Sequence, residues 1–445
     1  MNRKTVFTCN EHEQSVGEVF SSPVAHGAHR LVASENSSGG FLGFGVAITP
    51  SSCYVLSKMS KDERKDLFSH LYSKDGVNLG IARLCIGSSD YSPEIYSYDD
   101  VPFDTELSHF SVSRDGEYII PIIKEILEIN PDLYILASPW SPPGWMKTGG
   151  SIYGGYMRDE YVDCYADYFV KYIKAYAAHG IKIAAVTPQN ECNTQQNYKM
   201  PACIWHPETE ARFIIALKQK LEKNSLYTKI WMLDHNFSDV PRVTWMLDNC
   251  EGLYECCDGV AFHYYSGAIE QTAVIREKYP RLSLYFTEGG PRLCDNYDTD
   301  WCKWALMMVK ALKAGYRSFI GWNLMLDEQG GPNVGPFLGQ CAGLVTRDSR
   351  DGALSYSGQY KAFCHIASLV TPNSKIYPLS VGASFNLAMS AFPKSNIDIE
   401  GVIIENDGKQ NAVIVNPNAA GFQVQLELDG KLWYLELQPN SITTL

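Results

Sequence analysis

Short apolar runs alternate with longer segments whose apolar residues recur every three or four positions, from about residue 41 to about 370. The short runs read as strands buried on both faces. Eight are expected, at 41–48, 80–86, 133–138, 181–187, 229–233, 259–264, 282–286 and 318–323. Helical periods lie between and after them, at 61–72, 116–129, 160–179, 207–223, 240–250, 269–278, 300–314 and 356–369. In the third of these, Tyr165, Phe169, Ile173 and Tyr176 mark one buried face. Strand and helix alternating eight times predicts an α/β fold, a (β/α)8 barrel.

Beyond about residue 376 the helical period disappears. Ile397-Asp398-Ile399-Glu400 alternates, and the run then turns apolar to Glu405. Asp407-Gly408 and Asp429-Gly430 each separate strand-like runs, a strong hairpin signal. This tail predicts a small antiparallel β-sandwich domain. The expected organisation is residues 1–35 adding strands to that β domain, 36–371 as the barrel, and 372–445 as the β-sandwich.

Composition narrows the function. Hydrophobic residues make up 45% and charged residues 20%, ordinary for a globular enzyme. The formal net charge is −12 and no large basic patch appears, which disfavours nucleic acid and anionic membrane surfaces. No run of about 18 apolar residues exists, so no integral membrane segment is expected. The thirteen cysteines are odd in number and form no C-x-x-C pair. Without a secretion-type apolar stretch after Met1, reduced thiols and a cytoplasmic location are the expectation.

The candidate chemistry lies at strand ends. Glu191 closes the fourth apolar run through Gln189-Asn190-Glu191, and Glu288 closes the seventh through Thr287-Glu288. A carboxylate at the C-terminal end of a barrel strand is where such enzymes keep their chemistry. Two of them suit acid/base or nucleophilic work on a glycosidic bond. A gap of about 5–5.5 Å implies retention and one of about 6.5–9.5 Å inversion. A neutral-pH acid also needs a carboxyl raised by burial or a like charge. Asp234-His235 ends a strand as well, and reads as a loop or cap pair.

Several stretches, in order, resemble one family. They are Gly43-Phe44-Gly45-Val46-Ala47-Ile48-Thr49, Arg83 with Ser89-Asp90-Tyr91-Ser92, and Tyr96-Ser97-Tyr98-Asp99-Asp100. The long run Ala137-Ser138-Pro139-Trp140-Ser141-Pro142-Pro143-Gly144-Trp145-Met146-Lys147 follows, then Gln189-Asn190-Glu191. His263-Tyr264-Tyr265, Thr287-Glu288, and Trp322-Asn323-Leu324 with Gly330-Gly331-Pro332-Asn333 complete the set. The chain is similar to glycoside hydrolase family 30, in the manner of a glucosylceramidase-like, bacterial-type member.

The resemblance implies a TIM barrel with the attached β domain and a β-glycoside substrate; no cofactor or metal is expected, since no His-x-His or His-Glu-x-x-His spacing appears. It implies Glu191 as acid/base and Glu288 as nucleophile of a retaining β-glycosidase acting by double displacement. Asn190 matches a contact to the sugar 2-hydroxyl, and Tyr265 a tyrosine beside the nucleophile. Asp90, Trp140 and Trp322 match sugar-binding positions. Arg83 reads as a basic support of the pair or as a structural ion pair, and His263 as a site contact or a core histidine. Trp145 reads equally as core. Pro50, Cys192 and Gly289-Gly290 depart from the family's usual residues, which leaves the sugar open. A β-glucosidase or glucosylceramidase-like activity is the first expectation, on an oligosaccharide, an aryl or alkyl glucoside, or a glycolipid. β-Xylosidase and endo-β-1,6-glucanase follow. Two other classes remain: a metal-dependent barrel hydrolase using His235, His263, Asp327 and Glu288, and a catalytically dead carbohydrate-binding protein.

Overall fold

The computed structural model describes residues 3–9, 12–19, 28–382 and 398–445; Ile397 lies outside them. Eight strands close into a parallel barrel. They are β1 (Gly43–Ala47), β2 (Ile81–Cys85), β3 (Tyr134–Ser138), β4 (Ala185–Val186), β5 (Lys229–Asn236), β6 (Gly259–His263), β7 (Ser283–Glu288) and β8 (Tyr316–Gly321). All eight expected strands are present. Every residue of β1, β2 and β6 is buried, which is why these runs lack polar alternation. Gly45 in β1 admits no side chain: a Cβ there would lie 1.7 Å from the Ile81 carbonyl oxygen of β2.

The helices of Lys61–Tyr72 and Pro207–Lys223 have the expected bounds. Ser60 starts the first with a reciprocal cap, its backbone N–H donating to Glu63 Oε2 at 2.7 Å. A helix over Pro50–Ser57 was not expected, because it is short and weakly amphipathic. Thr49 caps it and Pro50 occupies its first turn, where a missing N–H costs nothing. That gives Pro50 a structural reason.

Two bulges flank β6. The β5–β6 register shifts between Leu233 and His235, and the β6–β7 register between Phe286 and Glu288. Leu233 and Asp234 have φ of 72° and 60°. Bulges re-aim side chains, often beside active sites. Here they turn Asp234 and Thr287 toward each other, and Thr287 Oγ1 donates to Asp234 Oδ1 at 2.6 Å.

The chain divides into two compact units. Phe44–Cys294 and Ser318–Ser355 form the barrel unit. The described parts of Met1–Gly43 group with Asp295–Arg317 and Tyr356–Leu445. The helices Trp301–Lys313 and Gly358–Ile366, read from sequence within the barrel segment, therefore belong to the β unit. Trp301 Nε1 donates to the Asn440 carbonyl there at 3.0 Å. The β unit holds a nine-stranded sheet that takes in Arg3–Cys9, His12–Val19 and His29–Ala33. Its pairings are antiparallel apart from a short parallel one between His29–Ala33 and Phe422–Leu428. Leu31, Ile403, Ile414, Leu426, Trp433 and Leu435 share one core, although their strands are spread along the sheet order. Both Asp-Gly hairpins form, with φ of 50° and 78° at Asp407 and Gly408 and 51° and 69° at Asp429 and Gly430. Positive φ at both central residues matches the twist of the flanking strands. Among the described residues no helix is long and apolar enough to cross a membrane.

Candidate active site

Arg83, on β2, is buried at the centre of the barrel mouth. Its Nη1 donates to Glu288 Oε2 at 2.6 Å. Its Nη2 reaches Asn190 Oδ1 at 2.6 Å and Asp234 Oδ2 at 2.8 Å, and Nε reaches Ser138 Oγ at 3.2 Å. One guanidinium thus ties together β2, β3, the end of β4, β5 and β7. A planar fork of fixed donors suits this, and an ammonium would not span it. Burial works against the Arg83 charge, but Asp234 and Glu288 more than reverse it and hold the guanidinium firmly protonated.

Asp234 is the second centre. Ser138 and Thr187 donate to its Oδ2 at 2.8 and 2.7 Å. His263 Nε2 lies 3.1 Å from Oδ1, which Thr287 also reaches. Burial opposes its ionisation, yet Arg83, His263 and Thr287 hold the carboxyl far below the usual range. The reading of Asp234 as a loop or cap residue is therefore overturned: it is fully buried and charged. Its place at a strand end, like that of Glu191 and Glu288, was the available signal.

The two glutamates come together. Facing oxygens of Glu191 and Glu288, with a nitrogen of His263, lie within 4.8 Å of one another. Tyr265 donates its hydroxyl to Glu288 Oε1 at 3.0 Å. His263 Nδ1 is 3.4 Å from Glu191 Oε1, and its Nε2 is 3.8 Å from Glu288 Oε2. His263 is wholly buried, and burial alone would lower its pKa. The charge of Glu288 and the contacts to Asp234 and Glu191 raise it instead, to about 9. Arg83 already holds one oxygen of Glu288. Asp327 belongs to the outlying strand Met325–Asp327, and one of its oxygens accepts from the Gly331 N–H at 2.6 Å. Asp327 is not part of the Glu191, His263 and Glu288 group whose donor atoms lie together.

Glu191 differs from expectation. Burial pushes its carboxyl up, but the His263 hydrogen bond, the charges of His235 and His263, and Gln196 pull it below the ordinary value. Gln196 Nε2 donates to Glu191 Oε2 at 2.6 Å. Gln196 was not singled out from sequence, because nothing local marks a glutamine five residues beyond a glutamate.

Above the carboxylates is a pocket of about 380 Å³. Trp140 and Trp322 line it, stacked at 5.2 Å between ring centroids and 22° between planes. The Arg83 guanidinium lies 4.9 Å from the Trp140 ring centroid. Asp90 lines the same pocket; it is 4% exposed and its Oδ1 has no hydrogen-bond partner. Burial, then Glu288 and Glu191, raise its carboxyl well above the usual range. Trp145 does not line this pocket; its Nε1 donates to the Asp99 carbonyl at 3.0 Å. Lys147, closing the same sequence run, buries its ammonium against the carbonyls of Ile152, Gly154 and Ala202 at 2.8–2.9 Å. Gly289 and Gly290, departures in sequence, are close-approach positions. A Cβ on Gly290 would meet the Trp322 carbonyl at 2.7 Å, and one on Gly289 the Tyr264 ring at 2.6 Å.

Residues 41–340 match the family described as Glycosyl hydrolase family 30 TIM-barrel domain. The chain belongs to glycoside hydrolase family 30. This family 30 enzyme is 28% identical over 417 residues to the endo-1,6-β-D-glucanase of Neurospora crassa, covering 90% of this chain and 84% of that one. It is 28% identical over 343 residues to the lysosomal acid glucosylceramidase of Mus musculus, covering 72% and 66%. Among solved structures, the endo-β1,6-glucanase BT3312 superposes with a TM-score of 0.86 at 28% identity, covering 99% of this chain and 98% of that one.

Proposed function

We propose that this glycoside hydrolase is a retaining β-glycosidase, with Glu288 as nucleophile and Glu191 as acid/base. The observation that carries the reading is the approach of the two carboxylates to within 4.8 Å. Retention needs a gap of about 5–5.5 Å, and the attacking water of an inverting enzyme would not fit between them. Glu288 attacks the anomeric carbon while Glu191 protonates the glycosidic oxygen. The leaving group departs, and a glycosyl ester remains on Glu288. Glu191, now a carboxylate, takes a proton from water as that water attacks the ester. Arg83 and Tyr265 hold Glu288 for the attack. Asn190 gives its Oδ1 to Arg83, which leaves its amide N–H group for the sugar 2-hydroxyl. Trp140 and Trp322 offer apolar faces to the sugar's C–H groups, and the unpartnered Asp90 oxygen accepts from its hydroxyls.

A glucose-configured sugar is the first choice, as in a β-glucosidase or glucosylceramidase-like enzyme, and relatives bearing that name support it. Endo-β-1,6-glucanase is the second reading, favoured by a solved relative of that activity that matches almost the whole chain. The test is hydrolysis of aryl β-D-glucoside, xyloside, galactoside and fucoside side by side, with a β-1,6-linked glucan as a further substrate. Glu288→Gln should abolish turnover. Glu191→Ala should regain activity on an activated aryl glycoside when azide is added. Near-normal turnover by Glu288→Gln overturns the assignment.

A further inference from the structure

Gln196, Asn197 and Tyr198, just beyond Glu191, have φ of 47°, 52° and 57°. Among the described residues no other three consecutive non-glycine residues share this left-handed conformation. Each crowds its Cβ against a carbonyl oxygen, so such a run persists only where contacts hold it. Two contacts do. The Tyr198 ring sits against Gly154, where a Cβ would lie 2.5 Å from Tyr198 Cδ1. The Gln196 amide sits on Glu191 Oε2 at 2.6 Å.

Both oxygens of Glu191 are therefore engaged. Oε1 faces His263 at 3.4 Å and His235 at 3.7 Å. Oε1 thus faces two imidazoles, one of them fully buried. Oε2 is the oxygen left for the glycosidic bond, and Gln196, which lines the pocket, covers it. A leaving group that approaches Oε2 meets that amide and competes with it for the oxygen's lone pairs. From the strained loop and the covered oxygen we infer that Gln196 is a displaceable lock on the acid/base. A leaving group with a hydroxyl beside the glycosidic oxygen takes over the Gln196 amide, frees Oε2 and lets Glu191 load the proton it will donate. The inference rests on Glu191 being the acid/base. One proton enters from solvent on binding and leaves on the glycosidic oxygen; the attacking water replaces it, and that proton returns to solvent as the product departs and Gln196 closes again.

The charges around Glu191 are consistent with this. His263 and His235 favour its ionised form. Asp90, from the loop after β2, is instead pushed toward its neutral form by burial and by Glu288 and Glu191. Arg83 is engaged by Glu288 and Asp234. Gln196 adds a donor that only the ionised form uses fully, so the free site is set against the protonated acid. Gln196 is a positioning residue, and it makes proton loading depend on a sugar-like leaving group.

The test is the pH profile of Gln196→Leu with an alkyl β-glucoside and a β-linked glucose disaccharide. The alkaline limb of kcat/KM reports the free enzyme, and that of kcat the complex. With the lock removed, the kcat/KM limb should move up by about one pH unit, the worth of one hydrogen bond to a charged group. The kcat limb should stay in place with the disaccharide, whose hydroxyl already frees Oε2 in the wild type, and should move up with the alkyl glucoside. Gln196→Asn, too short to reach, should behave like the Leu variant, and Gln196→Glu should move the limb further the same way. A kcat/KM limb unmoved in these variants, with azide rescue of Glu191→Ala intact, overturns the lock alone. Loss of that rescue overturns the assignment of Glu191 beneath it.

Discussion

His263 should make the enzyme's stability depend on pH in a specific direction. It has no solvent exposure and stands among Glu191, Asp234 and Glu288 at 3.4, 3.1 and 3.8 Å. Its pKa rises from the usual 6.5 to about 9 because those carboxylates outweigh the effect of burial. At about 1.4 kcal/mol for each pH unit, the roughly 2.5-unit difference corresponds to about 3 kcal/mol of stability. A raised folded-state pKa means that this stability is fully present below pH 6.5 and lost as pH rises through about 9. Chemical denaturation of the wild type and of His263→Gln, at steps from pH 6 to 9.5, isolates the contribution, since other titrations cancel in the difference. The wild type's advantage should shrink by about 3 kcal/mol across the series. A difference that stays flat with pH would mean that His263 is neutral in the native state, and the electrostatic account of the site's centre would fail.

Arg83→Met should lower stability by about 3–5 kcal/mol, because it strands the buried carboxylates of Asp234 and Glu288; loss of turnover together with a lowered unfolding midpoint checks it. Gly290→Ala should drive a methyl into the Trp322 backbone at a cost of about 1–3 kcal/mol, and should raise KM more than it lowers kcat. Lys147→Met should leave three carbonyls without their donor and destabilise the barrel unit by about 3 kcal/mol, measured by denaturation while Glu191 and Glu288 are left in place. Dialysis against a chelator should leave hydrolysis of an aryl glycoside unchanged, since Arg83 rather than a metal ion neutralises Glu288 and Asp234.

Much of the site was legible because barrel geometry converts strand ends into neighbours. Glu191 and Glu288 stand far apart in sequence, yet one lies in the loop after the fourth strand and the other ends the seventh strand of one barrel. The run from Ala137 to Lys147 was legible as a motif, but the roles within it were not. Trp140 reaches the pocket, Trp145 packs under the Asp99 backbone, and Lys147 ties the loop together. Asp234 was missed because its importance comes from the β5 bulge, and a bulge of one residue leaves no periodic trace. Gln196 was missed because only a run of left-handed backbone carries it back to Glu191.

The sequence by itself determined the eight buried strands, the β tail with its two Asp-Gly hairpins, and the two glutamates at strand ends. Hydrophobic period, turn chemistry and position along a strand are local properties, so they can be read without a structure. The tertiary structure alone decided which charges meet. It gave Arg83 both Glu288 and Asp234, placed His263 between the two glutamates, and covered Glu191 with Gln196. It also assigned the helices Trp301–Lys313 and Gly358–Ile366 to the β unit. Charge states in a buried site depend on distances of a few ångströms between residues remote in sequence, and only closure of the barrel sets those distances.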